Sequence, residues 1–239
     1  SVQLGLPYGA ANRTGQPSLS AALSLVHRAA DAGITSFDTA RAYGDSENRL
    51  GAALETRKGV RAVTKLSPLA ELASDSSRDD VRAAVDKSIA DSLAALRRST
   101  LDCLLLHRAA HMTAFDGVVW ERLLEHLEDG TVKSLGVSVQ NPQEALTAIA
   151  CPDVQHVQMP FNLLDWRWRE SGVIAAIRER GTLTVHARSV FLQGILAADD
   201  ASVWPNIEGA NAPDLVSFLS ELARQFERRS SSAMTIGVA

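Results

Sequence analysis

The feature that most constrains this chain is an alternation. Short β-branched or leucine-rich runs are followed repeatedly by longer segments of helical period. Parallel strands need a crossover between them, usually a helix, so this pattern predicts βαβ units around a parallel sheet. Strands are predicted at Val2-Gln3-Leu4, Ile34–Thr39, Val60–Lys65, Leu101–Leu106, Ser134–Val139, His156–Met159, Thr182–Arg188 and Met234–Val238. Leu101–Leu106 is almost continuously apolar, as a strand covered on both faces should be. Helices are predicted over Ser20–Ala32, Ser46–Leu54, Asp79–Arg98, Gly117–Glu128, Gly172–Arg180 and Asp214–Arg228. In the longest, Val81, Val85, Ile89, Leu93 and Leu96 share one side. Asn141-Pro142-Gln143-Glu144 reads as a further helix start, with a cap, a proline at the first position and a capping-box glutamate.

Eight strands with intervening helices in 239 residues predict an α/β fold, a closed (β/α)8 TIM barrel forming one domain over residues 1–239. The chain opens without methionine inside an apolar stretch, so its true beginning is expected to lie upstream. Little but serine separates Arg229 from Met234, and no helix follows the last strand. The C-terminal segment is therefore expected to be incomplete, or to lack residues near Ser230–Ala233.

Composition narrows the function. A net charge of −4 without a basic block leaves no electrostatic footprint for nucleic acid. No apolar run approaches the roughly 20 residues that span a bilayer, and no signal peptide is expected. Cys103 and Cys151 stand far apart, which argues against a disulfide framework or a zinc site and predicts a reducing, cytoplasmic setting. His107 and His111 are four apart, but His107 ends a strand, so no metal site is expected.

Barrel active sites lie at the C-terminal ends of the strands. Those ends supply Asp38, Lys65, His107, Ser138, Gln158 and Arg188, with Tyr43 on the loop after Asp38. Each alone has an ordinary structural use, as a turn cap, a solvated lysine or a satisfied histidine. Together they permit a specific chemistry. A tyrosine hydroxyl loses its proton near pH 10, and a neighbouring lysine ammonium is expected to lower that value. A carboxylate holds the lysine, and a histidine orients a carbonyl. The set is a proton donor facing a reducible C=O. Trp166, Trp168 and Tyr8 either border this pocket or cover neighbouring elements.

The segment Phe37-Asp38-Thr39-Ala40-Arg41-Ala42-Tyr43-Gly44-Asp45-Ser46-Glu47-Asn48-Arg49-Leu50-Gly51 resembles the signature of the aldo-keto reductases. Val63-Thr64-Lys65, Leu104-Leu105-Leu106-His107, Gly136-Val137-Ser138 and Gln158-Met159-Pro160-Phe161-Asn162 follow in that family's order. The resemblance implies a (β/α)8 barrel that moves hydride between a nicotinamide cofactor, usually NADPH, and a carbonyl or alcohol. It implies a tetrad of Asp38, Tyr43, Lys65 and His107, with Tyr43 as general acid, Lys65 held by Asp38, and His107 positioning the carbonyl. It implies that Ser138 and Gln158 hold the nicotinamide carboxamide, and that Arg188, Ser189, Phe191 and Gly194 line the cofactor. Two departures stand out: Val139 replaces the asparagine common after that serine, and Arg188 replaces an aromatic ring that stacks on the nicotinamide, where its guanidinium could stack instead, contact the pyrophosphate or contact a substrate carboxylate.

The leading expectation is thus an NADPH-dependent reductase of a small aldehyde or ketone, with NADH possible. Two other readings remain: a nicotinamide-binding regulatory or sensor subunit with little turnover, and a barrel lyase using Lys65 as a Schiff-base amine.

Overall fold

The computed structural model describes residues 2–225 apart from 199, 207 and 210. It opens with a short helix, α1 (Val2–Gly5), then α2 (Leu19–Asp31) and β1 (Ser36–Asp38). There follow α3 (Ser46–Leu54), β2 (Arg61–Lys65), α4 (Arg78–Leu96), β3 (Cys103–Leu106), α5 (Val118–Glu128), β4 (Leu135–Ser138), α6 (Pro142–Ala150) and β5 (His156–Pro160). The described part ends with α7 (Arg167–Glu170), α8 (Val173–Arg180), β6 (Thr184–Arg188), a 3-10 segment (Leu192–Ala197) and α9 (Ala212–Gln225). The strands form one parallel sheet in the order β1-β2-β3-β4-β5-β6, each paired with its sequence neighbours.

Local chemistry explains the boundaries. Ser18 caps α2 by accepting the Ala21 N–H, and Ser77 caps α4 by accepting the Asp80 N–H. Asn141 caps α6 through the Glu144 N–H at 3.0 Å, with Pro142 in the first turn and the Glu144 carboxylate returning to the Gln140 N–H at 2.7 Å. The reciprocal pair read from the sequence is therefore present in shifted form, with Glu144 returning to the N–H one residue before the cap.

One expected strand is not. Val2-Gln3-Leu4 lies in α1. Three residues cannot distinguish a period of two from one of 3.6, and here long-range packing decides. Leu4 is buried in the main core, and Gly5 lies so close to the Tyr43–Ser46 loop that a Cβ would sit 1.8 Å from the Tyr43 carbonyl oxygen. The Met234–Val238 strand falls outside the described residues. Ile34–Thr39 shortens to Ser36–Asp38, with Ile34 exposed.

The alternation of strand side chains sorts two layers. Leu104, Leu106, Val137, Val157 and Met159 join the large cluster beneath the helices. Val63, Cys103 and Leu105 pack in a separate cluster on the opposite, inner face of the curled sheet. All four residues of β3 are buried, as its apolar run demands, whereas Thr184, Val185 and Ala187 of β6 are exposed.

One long-range clamp holds the outer layer. The Arg180 guanidinium, at the end of α8, donates to the carbonyls of Ile149, Cys151 (2.6 Å), Pro152 (2.8 Å) and Val154 (2.6 Å). These include carbonyls at the α6 C-terminus, where a positive charge is also favoured by the helix dipole. Arg180→Ala should cost about 3 kcal/mol in urea unfolding, since several acceptors lose a charged donor together. A loss below about 0.5 kcal/mol would show that water replaces the clamp freely.

Candidate active site

The inner face of the sheet carries polar residues at its C-terminal edge. Strand alternation puts Asp38, Lys65, Ser138, Gln158 and Arg188 on the inward side, one strand after another. Lys65 is the anchor. It is 1% exposed, and its ammonium donates to Asp38 Oδ1 at 2.5 Å and to the Thr39 carbonyl at 2.8 Å. Gln158 donates through Nε2 to the same Asp38 oxygen at 2.7 Å, and the Ser138 hydroxyl lies 3.5 Å from Gln158 Oε1.

Tyr43 sits over this network. The Lys65 ammonium is 5.0 Å from its ring centroid, and His107 meets the ring edge to face at 5.7 Å. The loop that carries Tyr43 is held from both sides. Buried Glu47 accepts from Arg41 and, at 2.6 Å, from the Thr64 hydroxyl beside Lys65. Thr39 donates to the Ser46 hydroxyl at 2.9 Å. Gly44 takes a left-handed conformation (φ 55°) where a Cβ would lie 2.6 Å from the Gly5 carbonyl oxygen, so this turn and α1 close against each other only as glycines. Glu47 was not singled out by sequence; its signal was an acidic residue in a helix first turn whose environment only the fold reveals.

The electrostatics depart from expectation. Burial pushes the Tyr43 hydroxyl up to about 12, with the Asp38 carboxylate adding to the rise and Arg188 opposing it. The expected lowering by Lys65 is absent because the ammonium is turned onto Asp38 and Thr39 rather than onto the hydroxyl. Burial pulls Lys65 down from its ordinary value, opposed by Asp38. Burial, with help from Lys65, holds His107 near 4, so the ring is neutral at pH 7, and its Nδ1 is buried without a partner among the described residues. The Tyr43 hydroxyl donates to no group among the described residues.

A cavity of about 540 Å³ opens beside Tyr43, lined by Asp38, Tyr43, Gln158, Arg188, Ser189, Phe191 and Gly194. Tyr8, Gly9, Asn12 and Gln193 also line it. Of these, the sequence had pointed to Tyr8 and, within Phe191–Gly194, to the backbone of Gln193. Ser138 is buried behind Gln158 and does not reach the cavity. Neither tryptophan borders it: Trp168 is fully buried and donates to Asp165, and Trp166 is exposed against Arg169. Among the described residues no group of three His, Cys, Asp or Glu side chains is placed to hold a metal, and no helix is long and apolar enough to cross a membrane.

The inner histidines make the fold acid-sensitive. His156, beside His186 (5.3 Å between ring centroids), is held near 4 chiefly by burial, as is His107. Both folded values lie below the unfolded one, so between about pH 6.5 and 4 the unfolded chain binds protons that the folded chain refuses. Stability therefore rises with pH across that window and is lost on acidification. Both rings are only partly buried, so solvent screening trims the effect, and unfolding free energy should be lower at pH 5 than at pH 7 by about 1 kcal/mol for each. His156→Gln should remove roughly half of that loss; an unchanged pH slope in this variant would contradict the assignment.

Comparison with known proteins fits this geometry. A 6-dehydroglucose reductase of Novosphingobium aromaticivorans is 36% identical over 129 residues, a stretch covering 49% of this chain and 41% of that protein. The matched region thus spans well under half of that relative's length. The glycerol dehydrogenase of Gluconobacter oxydans superimposes with a TM-score of 0.73 at 23% identity, covering 99% of this chain and 75% of that one. A Bombyx mori aldo-keto reductase solved in complex with NADP gives a TM-score of 0.65 at 20% identity, covering 95% of this chain and 71% of that one. These neighbours are (β/α)8 barrels, and the six described strands follow the same parallel order. The Aldo/keto reductase family model matches residues 5–233, and with the signature segment folded around Tyr43, Lys65 and Asp38, the chain belongs to the aldo/keto reductase family.

Proposed function

We propose that this chain carries the active site of a nicotinamide-dependent oxidoreductase that reduces an aldehyde or ketone to an alcohol. The observation that carries the reading is convergence. A phenol with no hydrogen-bond partner among the described residues lines the cavity, a neutral imidazole packs edge-on against its ring from behind the lining, and a buried lysine–aspartate pair underpins both. Tyr43 is the general acid, donating its hydroxyl proton to the carbonyl oxygen as that oxygen gains negative charge. His107 orients the carbonyl by hydrogen bonding. Lys65, fixed by Asp38, neutralises that carboxylate beneath the Tyr43 ring.

The residues present fit a dinucleotide. The cavity lining offers the Arg188 cation, the Ser189 hydroxyl and the Phe191–Gly194 segment, and Gln158, backed by Ser138, also lines it. When bound, the cofactor supplies the hydride, which is the difficult part of the chemistry. NADPH is favoured over NADH by the resemblance and by the NADP-bound silkworm neighbour. The setting we propose is a reducing cytoplasm, with Cys103 and Cys151 as thiols.

The lyase reading loses support from burial: the Lys65 amine is enclosed and bonded to Asp38 and Thr39, with no open path for a carbonyl. Fluorescence titration with NADPH and NADH tests the cofactor. Micromolar or tighter binding of NADPH, with NADH about tenfold weaker, is the expected result, a difference of about 1.4 kcal/mol. Binding of neither would overturn the reductase reading and leave a non-catalytic role.

A further inference from the structure

Arg188 holds the clearest unspent charge in the cavity. It ends β6, on the same inward face as Lys65 and Gln158. One guanidinium nitrogen donates to the Val139 carbonyl at 2.9 Å, and the other terminal nitrogen lies 3.4 Å from the Ser189 hydroxyl. These bonds fix its plane and leave most of its N–H donors unused. No carboxylate of the described residues forms an ion pair with it. Asp38 is taken by Lys65 and Gln158, and Glu144 is taken by the α6 cap. A half-buried cation without a counter-charge costs desolvation energy that an anionic ligand would recover.

Its position says which anion. Arg188 and Tyr43 line one cavity within electrostatic range of each other, together with Tyr8. The charge and the phenol therefore border the same space. A dinucleotide's pyrophosphate is separated from its reacting carbon by a whole ribose, whereas a short carbonyl compound bearing a carboxylate brings both groups into one cavity. A planar guanidinium can also present its face to a cofactor ring while its edge donors grip a carboxylate, so the two uses are compatible.

We propose that Arg188 is a substrate-anion site, and that the preferred substrates are aldehydes or ketones bearing a carboxylate a few bonds from the reacting carbonyl. This rests on the reductase reading and adds the substrate class to it.

The test compares succinic semialdehyde with butanal, using NADPH and the whole chain. The wild-type protein should favour the carboxylate by about 10- to 100-fold in kcat/KM, the range of a charged hydrogen bond. At saturating NADPH, Arg188→Met should bring that ratio to about one, and Arg188→Lys should keep part of the preference. An unchanged ratio in Arg188→Met, or no preference in wild type, overturns the proposal. Loss of NADPH affinity without any substrate preference overturns it in favour of the cofactor's pyrophosphate. If neither aldehyde is reduced, the reductase reading fails, and calorimetric titration with succinate decides the site alone. Binding that Arg188→Lys weakens and Arg188→Met abolishes upholds it, and no binding overturns it. Should Arg188→Met not fold, Arg188→Lys supplies the comparison.

Discussion

Tyr43→Phe should lower carbonyl reduction by about 10³-fold or more while leaving NADPH binding within about twofold, because general-acid catalysis is worth about 10²- to 10⁴-fold and the ring itself is kept. The hydroxyl is the only part removed. It donates to nothing among the described residues, so its loss breaks no structural hydrogen bond. The ring keeps its edge contact with His107 and its place over Lys65. The high value of about 12 held by burial sharpens the expectation. The phenol stays protonated across the neutral range, so reduction should be flat with pH as far as Tyr43 is concerned. The reverse oxidation, which needs the phenolate to take a proton, should accelerate toward alkaline pH. Stopped-flow turnover and cofactor titration on the same preparation measure both halves. Near-native turnover in this variant would remove Tyr43 from the chemistry.

Lys65→Met should be nearly as damaging, for a different reason. The side chain is of similar length, so packing survives, but the charge goes. Asp38 then faces the Tyr43 ring with no cation between, and a carboxylate near a phenol makes that phenol a poorer acid. Turnover should fall by about 10²-fold or more. Stability should also fall, because one partner of a buried pair is removed. The full cost of about 3–5 kcal/mol is reduced here because Asp38 is one-third exposed and regains water, leaving about 2 kcal/mol. The double variant Asp38→Asn with Lys65→Met should recover most of that stability and none of the turnover. Equal recovery of both would mean the pair serves folding alone.

What was legible in the sequence follows from what is local. Ser46–Leu54 is a helix with the boundaries that its periodicity predicts, and the Asn141 cap works as its spacing requires. The polar strand ends were legible because period two fixes which face each takes, so Asp38, Lys65, Gln158 and Arg188 meet without any long-range information. Other features depended on contacts across the chain. Val2–Gly5 is helical because of what Gly5 touches, forty residues away in sequence. Arg180 looked like one more surface arginine, and only the fold delivers four carbonyls to it. The direction of the Tyr43 shift was misread for the same reason. A lysine nearby in the pattern says nothing of where its ammonium points, nor of how much water the ring has lost.

The account rests on hydride passing from a nicotinamide to a carbonyl held by Tyr43 and His107. The most direct measurement uses NADPH deuterated at C4 of the nicotinamide, on the appropriate face, with succinic semialdehyde as acceptor and mass spectrometry of the alcohol formed. The account predicts one deuterium on the new carbinol carbon for each NADP⁺ produced, and none above background with Tyr43→Phe. Alcohol formed without deuterium from either face, or cofactor oxidised without alcohol, would contradict it.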